Sequence, residues 1–146
     1  MFTKPCFIRK NTPELRKKLE ELGYIPPFKI WYDENFAICT IHRDNGGEYV
    51  VFKIDDDFER NIAPSYPYID CGTNEDLFLA IAALRDDTDK NQWFIYDSMD
   101  CIIEKLRTVD WFICEENSIE DFAFYDSLYL LCHKATVEEI IEHFTN

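Results

Sequence analysis

From Leu77 to Leu84 the chain reads Leu-Phe-Leu-Ala-Ile-Ala-Ala-Leu, with no polar residue among them. The run follows the turn-like Asp70-Cys71-Gly72-Thr73-Asn74 and the two acids Glu75 and Asp76. Thr73 or Asn74 is a good helix cap, and acids in a first turn complement the positive end of the helix dipole. The segment therefore predicts a helix over Glu75–Leu84 that has no face suited to water. Such a helix is expected to pack against a sheet and to carry other structure on its far side.

The remaining chain supplies strands and helices in alternation. Pro5-Cys6-Phe7-Ile8 predicts a strand, followed by a helix with Thr12 as cap, Pro13 in the first position and Gly23 at its end. Leu15, Leu19 and Leu22 form its apolar stripe. Phe36–His42 and Tyr49–Ile54 predict a hairpin joined through Asp44-Asn45-Gly46-Gly47. Strands are also predicted at Tyr68–Asp70, Trp93–Tyr96, Trp111–Cys114 and Leu128–His133, and helices after Ser98 and, more briefly, after Ser118. Thr136-Val137-Glu138-Glu139 is a capping box opening a last helix with Val137, Ile140, Ile141 and Phe144 on its apolar side. The expected fold class is α/β or α+β, a mixed sheet including one hairpin with helices packed on it, in a single domain over 1–146.

Charge narrows the partners. Net charge is −14, divided between 7 basic and 3 acidic residues in 1–31 (+4) and 8 basic and 26 acidic in 32–146 (−18). Phosphate backbones are bound by Lys and Arg that displace counterions, so direct nucleic-acid binding is not expected beyond a small N-terminal basic patch. No apolar run approaches the length of a membrane span and no secretory leader is legible, which predicts a cytoplasmic chain without membrane contact. The cysteines are dispersed and sit in apolar surroundings, so reduced thiols are expected.

Catalytic and metal motifs fail on spacing. Asp87-Thr88-Asp89-Lys90-Asn91 opens like a calcium loop, but Gln92 and Ser98 stand where the loop needs Gly and a bidentate Glu. Asp57 and Glu59 lie two apart, as in two-metal sites, yet no lysine has an acid two residues before it, as nuclease sites of that type require. No Cys-x-x-Cys pair, Gly-x-Ser-x-Gly elbow or phosphate-binding Gly loop is present. No catalytic residue, metal ligand or cofactor is predicted.

Two site readings remain. Asp70, Gly72, Thr73 and Asn74, with Asp97 and Ser98, end predicted strands and open helices, where α/β sheets place small ligands. Their alternative role is plain capping. A second set, Asp55, Asp56, Asp57, Glu59, Asp86, Asp87, Asp89, Glu115 and Glu116, forms a candidate acidic interface.

The stretches Asn11-Thr12-Pro13-Glu14-Leu15…Leu22-Gly23-Tyr24 and Asp70-Cys71-Gly72-Thr73-Asn74…Ala82-Ala83-Leu84-Arg85-Asp86-Asp87 resemble small uncharacterised proteins of gut Bacteroidales phages and mobile elements. The resemblance implies an intracellular protein of that origin and carries no catalytic motif. The leading expectation is a non-enzymatic protein whose acidic surface meets a basic host protein, with nucleic-acid mimicry as its sharper form. The rival is a small-ligand binder or enzyme at the strand-end turns. Oligomeric state is left open.

Overall fold

A computed structural model describes residues 2–26, 36–43, 46–53, 60, 68–96, 111–118 and 132–145. Among these residues, a mixed sheet of 5 strands and an antiparallel sheet of 3 pack with three helices, an α+β arrangement. The larger sheet contains β1 (Cys6–Ile8), β2 (Tyr24–Ile25), β3 (Phe36–Arg43), β4 (Gly46–Lys53) and β5 (Ile69–Asp70), in the order β2-β4-β3-β1-β5. The smaller contains β6 (Trp93–Tyr96), β7 (Trp111–Ile113) and β8 (Cys132–Lys134), in the order β7-β6-β8. The helices are α1 (Pro13–Leu22), α2 (Glu75–Ala82) and α3 (Val137–Thr145).

The predicted hairpin forms with Arg43 opposite Gly46, so its second strand begins three residues before Tyr49. Strand alternation then sorts the side chains. Cys6, Ile8, Ile38 and Tyr49 join the main core with Leu15 and Leu19 of α1 and Leu77, Phe78 and Ile81 of α2. Phe7, Ala37 and Cys39 form a separate buried cluster with Val50, Phe52 and Tyr68 packed against it. The thiols of Cys6, Cys39, Cys71 and Cys114 are free and buried, and burial pushes that of Cys39 up to about 12.

Helix α1 starts and stops where its caps require. Thr12 accepts a hydrogen bond from Leu15 N, Pro13 occupies the first turn, and Gly23 ends the helix at φ 113°. One side chain departs from the apolar stripe. Arg16 is buried, and its guanidinium donates to Asn11 Oδ1. Helix α2 ends at Ala82 rather than Leu84, because Leu84 N turns back to Ile81 O (3.1 Å) and Thr3 N takes the Leu84 carbonyl (3.0 Å). The strand predicted over 128–133 is described as β8, and its earlier residues lie outside the described set. So do the helices predicted after Ser98 and Ser118. No helix among the described residues is long and apolar enough to cross a membrane.

The edge of the larger sheet depends on a missing side chain. Tyr24 on β2 is opposite Gly47 on β4, stacks on Phe2 with centroids 4.2 Å apart, and donates its hydroxyl to Ala82 O (2.7 Å). Burial pushes the pKa of that hydroxyl up, which keeps it a donor. A Cβ at Gly47 would come within 2.6 Å of the Tyr24 ring. Gly47→Ala is therefore expected to destabilise the chain by about 1–3 kcal/mol, the usual range for overpacking. Chemical denaturation measures this, and an unchanged midpoint would show that Tyr24 shifts aside without loss.

Candidate functional site

Gln92 organises the polar end of the molecule. Its side chain is almost wholly buried, with 1% of its surface exposed. Nε2 donates to Ala83 O (2.6 Å) and Lys90 O (3.1 Å), while Oε1 accepts from Arg85 N (3.0 Å). These bonds fold residues 85–91 beneath the end of α2. The Gln92 carbonyl then accepts from Cys114 N (2.9 Å), Asn91 N donates to Cys114 O (2.8 Å), and Asp89 N donates to Asn117 O (3.0 Å). Asn91 takes the left-handed conformation, φ 65°, within this turn.

Two segments far apart in sequence are thereby joined, which brings the loop carrying Asp86, Asp87 and Asp89 beside the loop carrying Glu115 and Glu116. Their electrostatics differ. Asp87 is clamped by Arg85 through Nε and a terminal nitrogen, both at 2.8 Å, and the guanidinium holds its carboxyl well below the usual range. Asp89 lies 3.1 Å from Lys134 Nζ, which also donates to Thr88 O (3.0 Å). Asp86, Glu115 and Glu116 are exposed. The carboxylates of the calcium-like run thus face cations. Among the described residues no group of three or more His, Cys, Asp or Glu could hold a metal ion. Asp55, Asp56, Asp57 and Glu59 lie outside the described residues.

The strand-end turns do approach one another. β1 and β5 are parallel neighbours, so the segments leaving them run side by side, and Arg9 N donates to Gly72 O (2.7 Å). A cleft of about 400 Å³ between them is lined by Lys10, Asn11, Thr12 and Thr73. Asp70 accepts from Gly72 N (2.8 Å) and from Arg9 (3.1 Å). Asn74 caps α2 by accepting from Leu77 N (3.0 Å), and its amide donates to Phe144 O (2.8 Å). These side chains already serve the turn and the helix start. Helices α1 and α2 both supply the core on the same side of the sheet, whereas a switch-point crevice needs helices leaving to opposite sides. Asp97 and Ser98 lie outside the described residues.

The smaller sheet builds surfaces that motif reading did not find. Ile95 pairs with Trp111 on one side and His133 on the other, which sets the three in a row on one face. Helix α3 covers part of that face. His143 stacks on Trp111 (4.0 Å, 15°), and Phe144 meets Trp93 edge-on (5.6 Å). Glu139 holds the other end of the row. Its carboxylate accepts from Thr136 N (3.0 Å) in the capping box and lies 3.0 Å from His133 Nε2. Partial burial raises the Glu139 pKa, but the Thr136 N–H and the imidazole outweigh that and hold it below the usual value. Between these walls is a cleft of about 540 Å³, lined by Ile95, Trp111, Glu139, Glu142 and His143. A second, more apolar groove of about 320 Å³ runs over Leu22, Leu79, Trp93, Ile113 and Phe144, with Lys18 and Asp76 on its rim. Glu139, Glu142 and His143 were legible only as helix spacing, three and four residues apart on an otherwise amphipathic segment.

Comparison with family models, curated proteins and solved structures finds no match to this chain.

The capping box yields a signed pH dependence. A carboxylate whose folded pKa is lowered stabilises fully above its unfolded value, and that contribution is lost as pH falls through the folded pKa. Glu139→Gln should therefore melt below the unaltered chain at neutral pH, with the gap closing between about pH 5 and about pH 3. Thermal denaturation across that range measures it. A gap that stays constant with pH would show that the Glu139 charge contributes nothing.

Proposed function

We propose that this chain is a non-enzymatic binding protein that engages a basic protein partner through its acidic surface. The observation that carries this reading is the joining of 85–91 to 114–118 around Gln92. Backbone and amide bonds hold side by side the two loops that carry five acids, so little backbone ordering remains to be done on binding. Exposed carboxylates on a chain of net charge −14 attract a basic surface over several ångströms, speeding encounter and making it salt-sensitive. The resemblance to phage and mobile-element proteins favours a host protein as that partner. Free, buried thiols favour a reducing, cytoplasmic setting. Nucleic-acid mimicry needs an even row of unpaired carboxylates, and the pairing of Asp87 with Arg85 and of Asp89 with Lys134 does not favour that narrower form.

The test compares capture of host proteins by the unaltered chain and by Asp86→Asn/Glu115→Gln/Glu116→Gln. A basic partner should be retained at low salt, released at high salt, and lost with the substituted chain. A partner retained equally by both chains, or held through high salt, would contradict the reading.

A second reading places a small anion in the cleft at Lys10–Thr12 and Thr73. It is favoured by one arrangement, the two helix starts brought side by side by the parallel β1–β5 pair. A thermal-shift titration with inorganic phosphate tests it, and no shift in melting would remove it.

A further inference from the structure

The cleft between the smaller sheet and α3 combines three features a cationic side chain uses. Ile95 gives an apolar floor between Trp111 and His133. Trp111 and His143, stacked with ring centroids 4.0 Å apart, both line the cleft and give it an aromatic wall. Glu139 and Glu142, three residues apart on α3, give two carboxylates above the floor. Glu139 is held in place by Thr136 N and His133, so its charge is positioned before anything binds. No Lys or Arg stands among the described residues lining the cleft.

We infer that this cleft receives an arginine side chain of the basic partner. The aliphatic stem would lie along Ile95, the guanidinium plane against the Trp111–His143 wall, and its paired N–H donors toward Glu142 and Glu139. A planar fork suits both the ring face and a carboxylate pair, whereas an ammonium offers only a point charge. An aromatic ring beside the guanidinium adds a cation–π attraction. At about 540 Å³ the cleft admits a side chain and the backbone that carries it. The inference rests on the proposed function in one respect, that the partner is basic. It places the contact at Trp111 and α3 rather than on the Asp86, Glu115 and Glu116 carboxylates.

The test titrates a short Gly/Arg peptide into the isotope-labelled 146-residue chain and follows the Trp111 indole N–H and the His143 ring by NMR. Both signals should shift, and the citrulline counterpart should leave them unmoved. Glu142→Gln should weaken binding about tenfold, as expected for loss of a hydrogen bond to a charged group. Glu142 is exposed and makes no capping bond among the described residues, so this variant retains the fold. Asp86→Asn/Glu115→Gln/Glu116→Gln should leave the peptide affinity within about twofold, because these acids are not among the described residues lining the cleft and exposed charges are screened by salt. Equal binding of the lysine counterpart would overturn the guanidinium assignment. An unchanged affinity in Glu142→Gln, or equal shifts with citrulline, would overturn the site. Peptide binding that is lost only in the triple variant would overturn the cleft while leaving the acidic-end reading standing.

Discussion

The burial of Leu77, Phe78, Ala80, Ile81 and Ala82 of α2 is the constraint on which the rest of the structure depends. A helix made of Leu77, Phe78, Leu79, Ala80, Ile81 and Ala82 gains nothing from water, and each neighbour covers a different part of it. β1 packs beneath it, α1 lies beside it, and α3 crosses it from the smaller sheet. The carbonyls at and just beyond its C-terminal end are also taken up by other parts of the chain. Ala82 O receives the Tyr24 hydroxyl, Ala83 O the Gln92 amide, and Leu84 O the backbone of Thr3. Those three bonds bring an edge strand, an acidic loop and the chain start to one helix end.

The polar end follows from the same geometry. The C-terminal carbonyls of a helix need donors, and here Gln92 supplies one while satisfying its own buried amide. Once Gln92 is fixed, its backbone carbonyl is in place to receive Cys114 N, and the strand β7 is positioned. The two acid-bearing loops come side by side as a consequence. Burial of one polar side chain thus links core packing to the distribution of surface charge.

Local rules made much of this legible. Thr12, Pro13 and Gly23 bound α1 because each meets a backbone need that other residues meet poorly. The hairpin was readable from Asn-Gly turn chemistry, and α3 from its capping box, which forms reciprocally between Thr136 and Glu139. What stayed hidden depends on contacts distant in sequence. Gly47 reads as a turn glycine, yet its lack of a side chain matters because Tyr24 lies against it. Gln92 and Arg16 are buried polar residues that no motif singles out. The row Trp111–Ile95–His133 requires knowing that β7 and β8 flank β6, which no local pattern encodes. The acids Asp87 and Asp89 look like ligands in sequence because Lys134, which faces Asp89, is far along the chain.

The central claim is that α2 joins both sheets into one unit and so fixes the polar end and the cleft. Native-state hydrogen exchange across a denaturant series tests it most directly. The amides of Cys71 in the larger sheet, Ala83 at the end of α2, and Ala135 in the smaller sheet each donate to backbone carbonyls. All three should converge on the same opening free energy. Exchange of Ala135 through a separate, lower-energy opening, with Ala83 still protected, would contradict it.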